Sequence, residues 1–327
     1  MISTPRQLLR DLFLLTCAAV MAIFIAGLCG GGGCWLPSSS ADIFWQLRMP
    51  RALLAFAVGG SLALSGALMQ LLLRNPLADP YVLGVSGGAA VGALSAIWLV
   101  PASLAVYGLH LGSLAGALGA IGLLFGLAHA SMNRVSAVSV KGGSDVRLIL
   151  TGVMLSAGFG ALISLLFTMS DDKSLRGIFF WLMGDLDANE VMWPVWVVLL
   201  LALVWSVRHA AALNVLAQGE LNAHLLGLPV KRLRTMTLLM ASVTAAVAVS
   251  SAGTIGFVGL VVPHALRLLG GNDYRRLLPA SVLLGGAVLC LADLAARSLI
   301  APVQLPVGVV TSLVGVPVFL WLLARTR

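Results

Sequence analysis

Ten apolar runs, separated by short polar connections, occupy most of the chain. Each is close in length to the about 20 residues that a helix needs to cross the hydrocarbon core of a bilayer. Only helices and closed barrels satisfy the backbone in that core, and the sequence has no alternating barrel pattern. We therefore expect an all-α, polytopic membrane protein with one transmembrane domain over residues 1–327. The predicted helices are Leu12–Leu28, Ala52–Leu73, Val82–Leu99, Leu104–Ala128, Val146–Thr168, Val191–Val207, Thr235–Ala252, Ile255–Leu269, Leu277–Ala296 and Val307–Leu323.

Composition supports this class. With 60% hydrophobic and 10% charged residues and a mean hydropathy of +1.03, the chain has too little polar surface to cover a soluble globule. A net charge of +8 in a soluble domain would suggest nucleic acid. Here the basic residues lie between apolar runs, where they orient the chain and face anionic membrane lipid. We expect no nucleic-acid partner.

The distribution of Lys and Arg predicts the orientation. Ten helices place both termini on one side of the membrane, together with most of the basic connections, and the positive-inside rule makes that side the cytoplasm. The eighth run is short and contains Pro263, so we expect a tilted or shortened helix there. Five cations remain on the outer side: Arg48, Arg51, Lys173, Arg176 and Arg297.

Three of these outer cations lie at the ends of predicted helices. Arg48 and Arg51 open the second helix and Arg297 ends the ninth. Arg at such positions can simply extend to the interface. Because the three break the charge rule, we favour docking of an external acidic partner, since a guanidinium binds a carboxylate at two points. Asp293 either forms an ordinary helix-end ion pair with Arg297 or holds it for an outside carboxylate.

Two connections on the predicted inner side contain candidate functional segments. Residues 74–80, Arg-Asn-Pro-Leu-Ala-Asp-Pro, contain two prolines that impose a fixed bend, which suits a gate or a plain tight turn. The longest connection, Arg208 to Arg234, contains an amphipathic segment from Gln218 to Pro229. Apolar side chains on an exposed cytosolic helix indicate a partner protein.

Cysteine and glycine give weaker predictions. Cys29 and Cys34 flank four glycines on the predicted outer side, where a disulfide would persist, although spacing alone leaves the bridge open. Cys17 and Cys290 lie within apolar runs and are expected to be small buried hydrophobes. A glycine stripe predicts close packing within one chain, with a dimer seam as the alternative. The stripe comprises Gly112, Gly116, Gly119, Gly122 and Gly126.

Several activities lack their residues. No phosphate-binding loop of the Gly-x-x-x-x-Gly-Lys-Ser/Thr type occurs, so ATP and Mg²⁺ are expected on a separate ATPase subunit. Acidic residues are nearly missing from the middle of the runs, unlike in ion-coupled transporters. The sequence offers no Cys/His metal cluster and no nucleophile–base pair, so we predict no catalytic residue, metal or bound cofactor. A secondary transporter or channel remains the alternative of a different class.

Taken together, six ordered motifs resemble the permease family of the type II ABC importers for iron chelates, haem and cobalamin, the FecCD or BtuC-like family. They are residues 48–51, residues 74–80 with 84–88, residues 219–229, residues 255–264 with Arg267, Ala292-Asp293 with Arg297, and residues 305–311.

This resemblance implies a BtuC-like bundle of ten helices per subunit and a homodimer in the bacterial inner membrane, with two cytosolic ATPase subunits and a periplasmic binding protein. It assigns docking to Arg48, Arg51 and Arg297. It assigns the cytoplasmic gate to Asn75, Leu77, Gly143 and Ser144. It assigns ATPase coupling to Glu220, Leu221, His224, Leu225, Gly227 and Leu228. The expected cargo is a bulky metal chelate, an iron-siderophore or haem, with cobalamin close behind.

Overall fold

A computed structural model describes residues 5–30, 33–34, 41–101, 104–132, 143–170, 177, 179–186 and 192–325. The described part is built almost entirely of helices, as predicted. Its longer helices are α1 Pro5–Leu28, α2 Met49–Leu72, α3 Val85–Leu99, α4 Ala105–Met132, α5 Gly143–Thr168, α6 Trp193–Arg208, α7 Ala210–Ala217, α8 Glu220–Leu225, α9 Val230–Ala252, α10 Val258–Gly270, α11 Tyr274–Ser298 and α12 Val307–Arg325.

Every predicted run coincides with one of these helices. Six helices in the described ranges are long and apolar enough to cross a membrane alone: α1, α2 with the π-helical turn Phe44–Arg48 before it, α4, α5, α9 and α11. Helices α6 and α7 meet at an angle of 67°. The shorter apolar helices α3, α10 and α12 complete the set, so ten is an approximate number of crossings.

Helix α2 forms the centre of the bundle. It is buried along nearly its whole length and packs against α1, α9, α10 and α11. Glycines allow these backbones to touch, because a Cβ at Gly285 on α11 would lie 2.6 Å from the carbonyl oxygen of Gly59 on α2. Gly66 of α2 meets the backbone of Gly259 on α10 in the same way. In lipid, such close backbone approach contributes much of the packing between helices.

The glycine stripe on α4 divides into two parts. Gly112 and Gly116 pack against glycines of α3, as predicted, and a Cβ at Gly88 would lie 2.6 Å from the Gly116 carbonyl oxygen. Gly119, Gly122 and Gly126 would have nothing within 4 Å of an added Cβ, and they line an apolar groove of about 620 Å³ beside α5. Packing within one chain therefore explains only the first half of the stripe.

Helix α10 is short because the chain before it is not helical. Gly253 and Phe257 have positive φ angles of 66° and 69°, and between them the Thr254 hydroxyl donates to the Leu182 carbonyl. Thirteen residues span about 20 Å, less than the about 30 Å hydrocarbon core. The expected shortened eighth helix is confirmed, and its irregular entry is packed against protein, as the membrane requires.

One cysteine prediction was wrong. Cys290 is buried in α11, but Cys17 is exposed on α1. Helix α1 packs on the bundle with one face and leaves the rest of its apolar surface uncovered in the single chain. A small apolar residue on that surface can face lipid as well as protein, because both are apolar.

Candidate functional site

A single buried carboxylate joins two of the three arginines predicted to dock a partner. Asp293 is fully buried near the end of α11. Arg51 Nε and Nη2 each lie 2.9 Å from its Oδ1, and Arg297 Nε lies 2.9 Å from its Oδ2. The start of α2 and the end of α11 are thereby bound together.

The third arginine lies beside them. Arg48 Nη1 donates to the Leu28 carbonyl at 2.8 Å, and Arg297 Nη2 donates to the Ala26 carbonyl at 3.1 Å, so both hold the end of α1. We call Arg48, Arg51, Asp293 and Arg297 the rim cluster. Three guanidinium groups and one carboxylate leave it two positive charges.

A small hairpin adjoins the rim cluster. Strands β1 Cys29–Gly30 and β2 Gly33–Cys34 pair antiparallel, with Cys29 opposite Cys34, and these two cysteines form a disulfide. A Cβ at Gly30 would lie 3.4 Å from Arg297 Nη1 and 3.5 Å from Arg48 Nη2. Glycine at this position lets the hairpin backbone approach both guanidinium groups.

Two of the three arginines predicted to dock a partner are mostly buried. In the single chain only 7% of the Arg297 side chain and 14% of the Arg51 side chain are exposed, because both are turned toward Asp293. The ion pair anticipated between Asp293 and Arg297 is confirmed. Sequence reasoning missed that Arg51 shares the same carboxylate, since a separation of 242 residues leaves no local signal.

At the opposite end of the bundle, residues 74–80 form a fixed turn that we call the gate turn. Asn75 Oδ1 accepts from the Leu77 amide at 2.9 Å, and Asp79 Oδ1 accepts from the Tyr81 amide at 2.8 Å. The Tyr81 hydroxyl lies 3.1 Å from both the amide and the carbonyl of Ile255. The gate turn is thus attached to the irregular segment that precedes α10. Asn75 and Leu77 are exposed.

The environment of Asp79 changes its acidity. Burial raises the pKa of this carboxyl to about 6, and the hydrogen bond from the Tyr81 amide opposes the rise only partly. Gly143 and Ser144, the other predicted gate residues, begin α5, and their side-chain contacts lie outside the described part of the chain.

The predicted coupling residues lie on and after the short helix α8, and we call Glu220–Leu228 the coupling segment. Ala223 is buried and seats α8 on the bundle, and the Leu228 amide donates to the Ala223 carbonyl at 3.0 Å. Gly227 ends the helix with a φ of 77°, as glycine commonly does at this position. Glu220 and Leu228 are half-buried, whereas the remaining predicted residues are exposed: Leu221, His224, Leu225 and Gly227.

An ion-pair network connects the coupling segment to the gate turn. Glu220 Oε1 lies 3.4 Å from Arg74 Nη2 and is also paired with Arg234 on α9. Sequence reasoning predicted the two segments separately and missed this contact. Within the described residues no group of three or more His, Cys, Asp or Glu side chains could hold a metal ion. That the chain binds no cofactor stays a prediction.

Comparisons with known proteins agree with this architecture. Residues 11–325 match the FecCD transport family. The vitamin B12 import system permease protein BtuC of Escherichia coli O9:H4 is 39% identical over 98% of this chain and 97% of its own length. The protein of the same name from Klebsiella pneumoniae is also 39% identical, over 98% of this chain and 96% of its own.

Two solved transporter structures resemble this chain in fold. A metal-chelate type ABC transporter in an inward-facing conformation matches with a TM-score of 0.85 and 33% identity, over 97% of this chain and 99% of that chain. PsaBC from Streptococcus pneumoniae, with a TM-score of 0.59 and 18% identity over 88% of this chain, shares the fold. The chain therefore belongs to the FecCD transport family and is a permease subunit of an ABC importer, in which a separate subunit hydrolyses ATP.

Proposed function

We propose that this permease moves cobalamin from a periplasmic binding protein into the cytoplasm, as a homodimer in the bacterial inner membrane with both termini cytoplasmic. The observation that carries the proposal is the 39% identity, over almost the full length of both chains, to permeases named for vitamin B12 import. These relatives favour cobalamin over the iron-siderophore or haem expected from the sequence. An iron chelate remains the second candidate, because the structural relative at 33% identity is described as of metal-chelate type.

The rim cluster would receive the binding protein. Its two uncompensated positive charges suit acidic side chains on a partner, and complementary charge speeds and orients such an encounter. Arg48 is the member without a carboxylate partner among the described residues, and we assign it the direct contact. Arg51 and Arg297, held by Asp293, keep the site positively charged and fixed in shape.

The coupling segment would contact the ATPase. Leu221, Leu225 and Leu226 expose about 70% of their surface at the predicted cytoplasmic end, an arrangement typical of a helix that inserts into a groove of another protein. Movement of this segment on ATP binding would be passed to the gate turn, where Asn75 and Leu77 close the pathway together with the start of α5.

Helix α5 would face the second copy of the chain. This helix is apolar and almost uncovered in the single chain, and Leu150, Met154 and Leu165 are each more than half exposed. In a homodimer enclosing a central pathway, such a face would line the pathway or the interface between the copies.

Uptake into proteoliposomes tests the proposal. The permease is reconstituted with its ATPase and its binding protein, and radiolabelled cyanocobalamin, a ferric hydroxamate and haem are offered in turn. We expect ATP-dependent uptake of cyanocobalamin alone. Uptake of only an iron compound would overturn the cargo and keep the importer. Uptake by the permease alone, driven by an ion gradient, would instead indicate a secondary transporter.

A further inference from the structure

We propose that Glu220 is a positioning residue that transmits movement of the coupling segment to the gate turn through its ion pair with Arg74. The inference rests on the proposed function, because it requires that an ATPase binds the coupling segment. It adds a defined mechanical connection between the two segments, made by a side chain that neither belongs to the gate turn nor contributes to the exposed leucine surface.

The geometry places Glu220 between two elements. Its carboxylate lies 3.4 Å from Arg74, the first residue of the gate turn, and is paired with Arg234 in the first turns of α9. Two guanidinium groups share this carboxylate, so Glu220 cannot move away without removing the negative charge between two like charges.

The flanking structure restricts how α8 can move. Asn214 on α7 is fixed to the start of α11, because its amide donates to Asp273 Oδ1 and accepts from the Tyr274 amide, each at 2.8 Å. Helix α8 follows this anchor and lies between Gly219 and Gly227, whose φ angles are 125° and 77° and which have no neighbour within 4 Å of an added Cβ. Glycines at both ends of a short helix permit it to pivot while α7 and α9 stay in place.

The gate turn is stiff enough to follow. Its prolines, the hydrogen bond from Leu77 to Asn75 and the attachment of Tyr81 to Ile255 fix its shape. Arg74 itself has a φ of 46°, unusual for a residue with a side chain, and this conformation orients it out of α2 at the junction with the turn. A displacement of Arg74 would therefore move the gate turn, including Asn75 and Leu77, as a rigid unit.

The ion pair is suited to transmission and contributes little to stability. Arg74 and Glu220 are 44% and 42% exposed, and exposed ion pairs are worth about 0–1 kcal/mol. Variants that lose the pair should fold and reach the membrane normally, so a functional defect can be measured without a folding defect.

Cysteine labelling of the gate turn measures transmission independently of the cargo. Leu77→Cys is introduced into a Cys17→Ser background, and the purified permease–ATPase complex is treated with a fluorescent maleimide with and without a non-hydrolysable ATP analogue. When two sites are coupled, a ligand at one site typically changes the affinity at the other by about 5- to 150-fold. We expect the nucleotide to change the labelling rate several-fold in this parent, and the change to fall below about twofold with Glu220→Gln or Arg74→Gln. The ATPase should still co-purify with the Arg74→Gln permease, because Arg74 lies outside the coupling segment.

The double variant and a matched control complete the experiment. Arg74→Gln combined with Glu220→Gln should lose no more than either substitution alone, because both remove the same contact. Arg232→Gln removes one positive charge from the start of α9, near Arg234, at an exposed residue without a carboxylate partner among those described, and should retain the full nucleotide response.

The possible results separate the two proposals. A full response in Glu220→Gln or Arg74→Gln overturns the role of Glu220, as does loss of the ATPase from Glu220→Gln, which would make this residue a direct ATPase contact. A nucleotide response that is clearly smaller in the double variant than in either single variant also overturns the role of Glu220. If the ATPase fails to bind the parent permease, the assignment of the coupling segment itself is wrong.

Discussion

Arg51 and Asp293 are 242 residues apart in sequence, yet two guanidinium nitrogens of one lie 2.9 Å from the same carboxylate oxygen of the other. The pair binds the beginning of the central helix α2 to the end of α11, and Arg297 occupies the second oxygen of the same carboxylate. The positive rim is therefore built around a buried negative charge.

Removing that charge should destabilise the permease. Asp293→Asn leaves two largely buried guanidinium groups without a countercharge, and breaking a buried ion pair in this way costs about 3–5 kcal/mol. We expect a clear fall in the thermal unfolding midpoint of the detergent-solubilised protein. Asp11→Asn is the control, because Asp11 pairs with Arg276 at 3.0 Å and with Arg10 at 3.4 Å but is 23% exposed, whereas Asp293 is fully buried, so its loss should cost less. Equal losses in the two variants would contradict the central role of Asp293.

Reversing the charge of Arg48 should weaken docking. Arg48→Glu changes the rim cluster from two net positive charges to none, so the binding protein should associate more slowly and at least about tenfold more weakly at low salt. The difference should shrink as salt screens the charges. Binding to permease in nanodiscs measures both effects. Arg208→Glu, at the predicted cytoplasmic end, should bind as the parent does, and a comparable loss there would argue against a local site.

Glycine substitutions should distinguish glycines that contact a neighbouring backbone from glycines that face open space. Gly285→Ala places a Cβ 2.6 Å from the Gly59 carbonyl oxygen, and such overpacking typically costs about 1–3 kcal/mol. Gly122→Ala meets open space and improves helix propensity, so the single chain should tolerate it. Thermal unfolding measures the stability of both variants, and size-exclusion chromatography measures their oligomeric state. Should Gly122→Ala disrupt the dimer, its face of α4 is covered in the assembly.

Asp79 should make stability depend on pH. Its pKa of about 6 lies above the ordinary 3.8, so the folded protein binds this proton more tightly than the unfolded chain. The resulting stabilisation is complete below pH 3.8 and is lost as the pH rises to about 6, a difference of up to about 3 kcal/mol.

A neutral side chain at this position should remove the dependence. Asp79→Asn keeps an acceptor for the Tyr81 amide, so it should unfold at a higher temperature than the parent at neutral pH and flatten the slope between pH 4 and about 6. Asp42→Asn, at an exposed position, should keep the parent slope. An unchanged profile in Asp79→Asn would show that another group titrates.

The sequence predicted the helices well because each apolar run is long and sharply bounded. Helix α10 was predicted from the sequence although it is short and contains Pro263, because its apolar residues form a continuous run after Phe257. Contacts between segments far apart in the sequence could not be predicted in this way. The Arg51–Asp293 and Arg74–Glu220 pairs depend on how helices are arranged around α2, and charge alone does not specify which cation meets which carboxylate. Helix periodicity likewise could not show that Gly122 faces open space while Gly116 meets α3.

The cystine at the rim carries information about topology. Thiols are kept reduced in the cytosol, whereas the periplasm allows them to oxidise. The bridge between Cys29 and Cys34 therefore favours the periplasm for this end of the bundle, as proposed above, on grounds that do not depend on the count of cations. Alkylation of whole cells before and after a membrane-impermeant reductant would read the orientation from the native protein, without an introduced reporter.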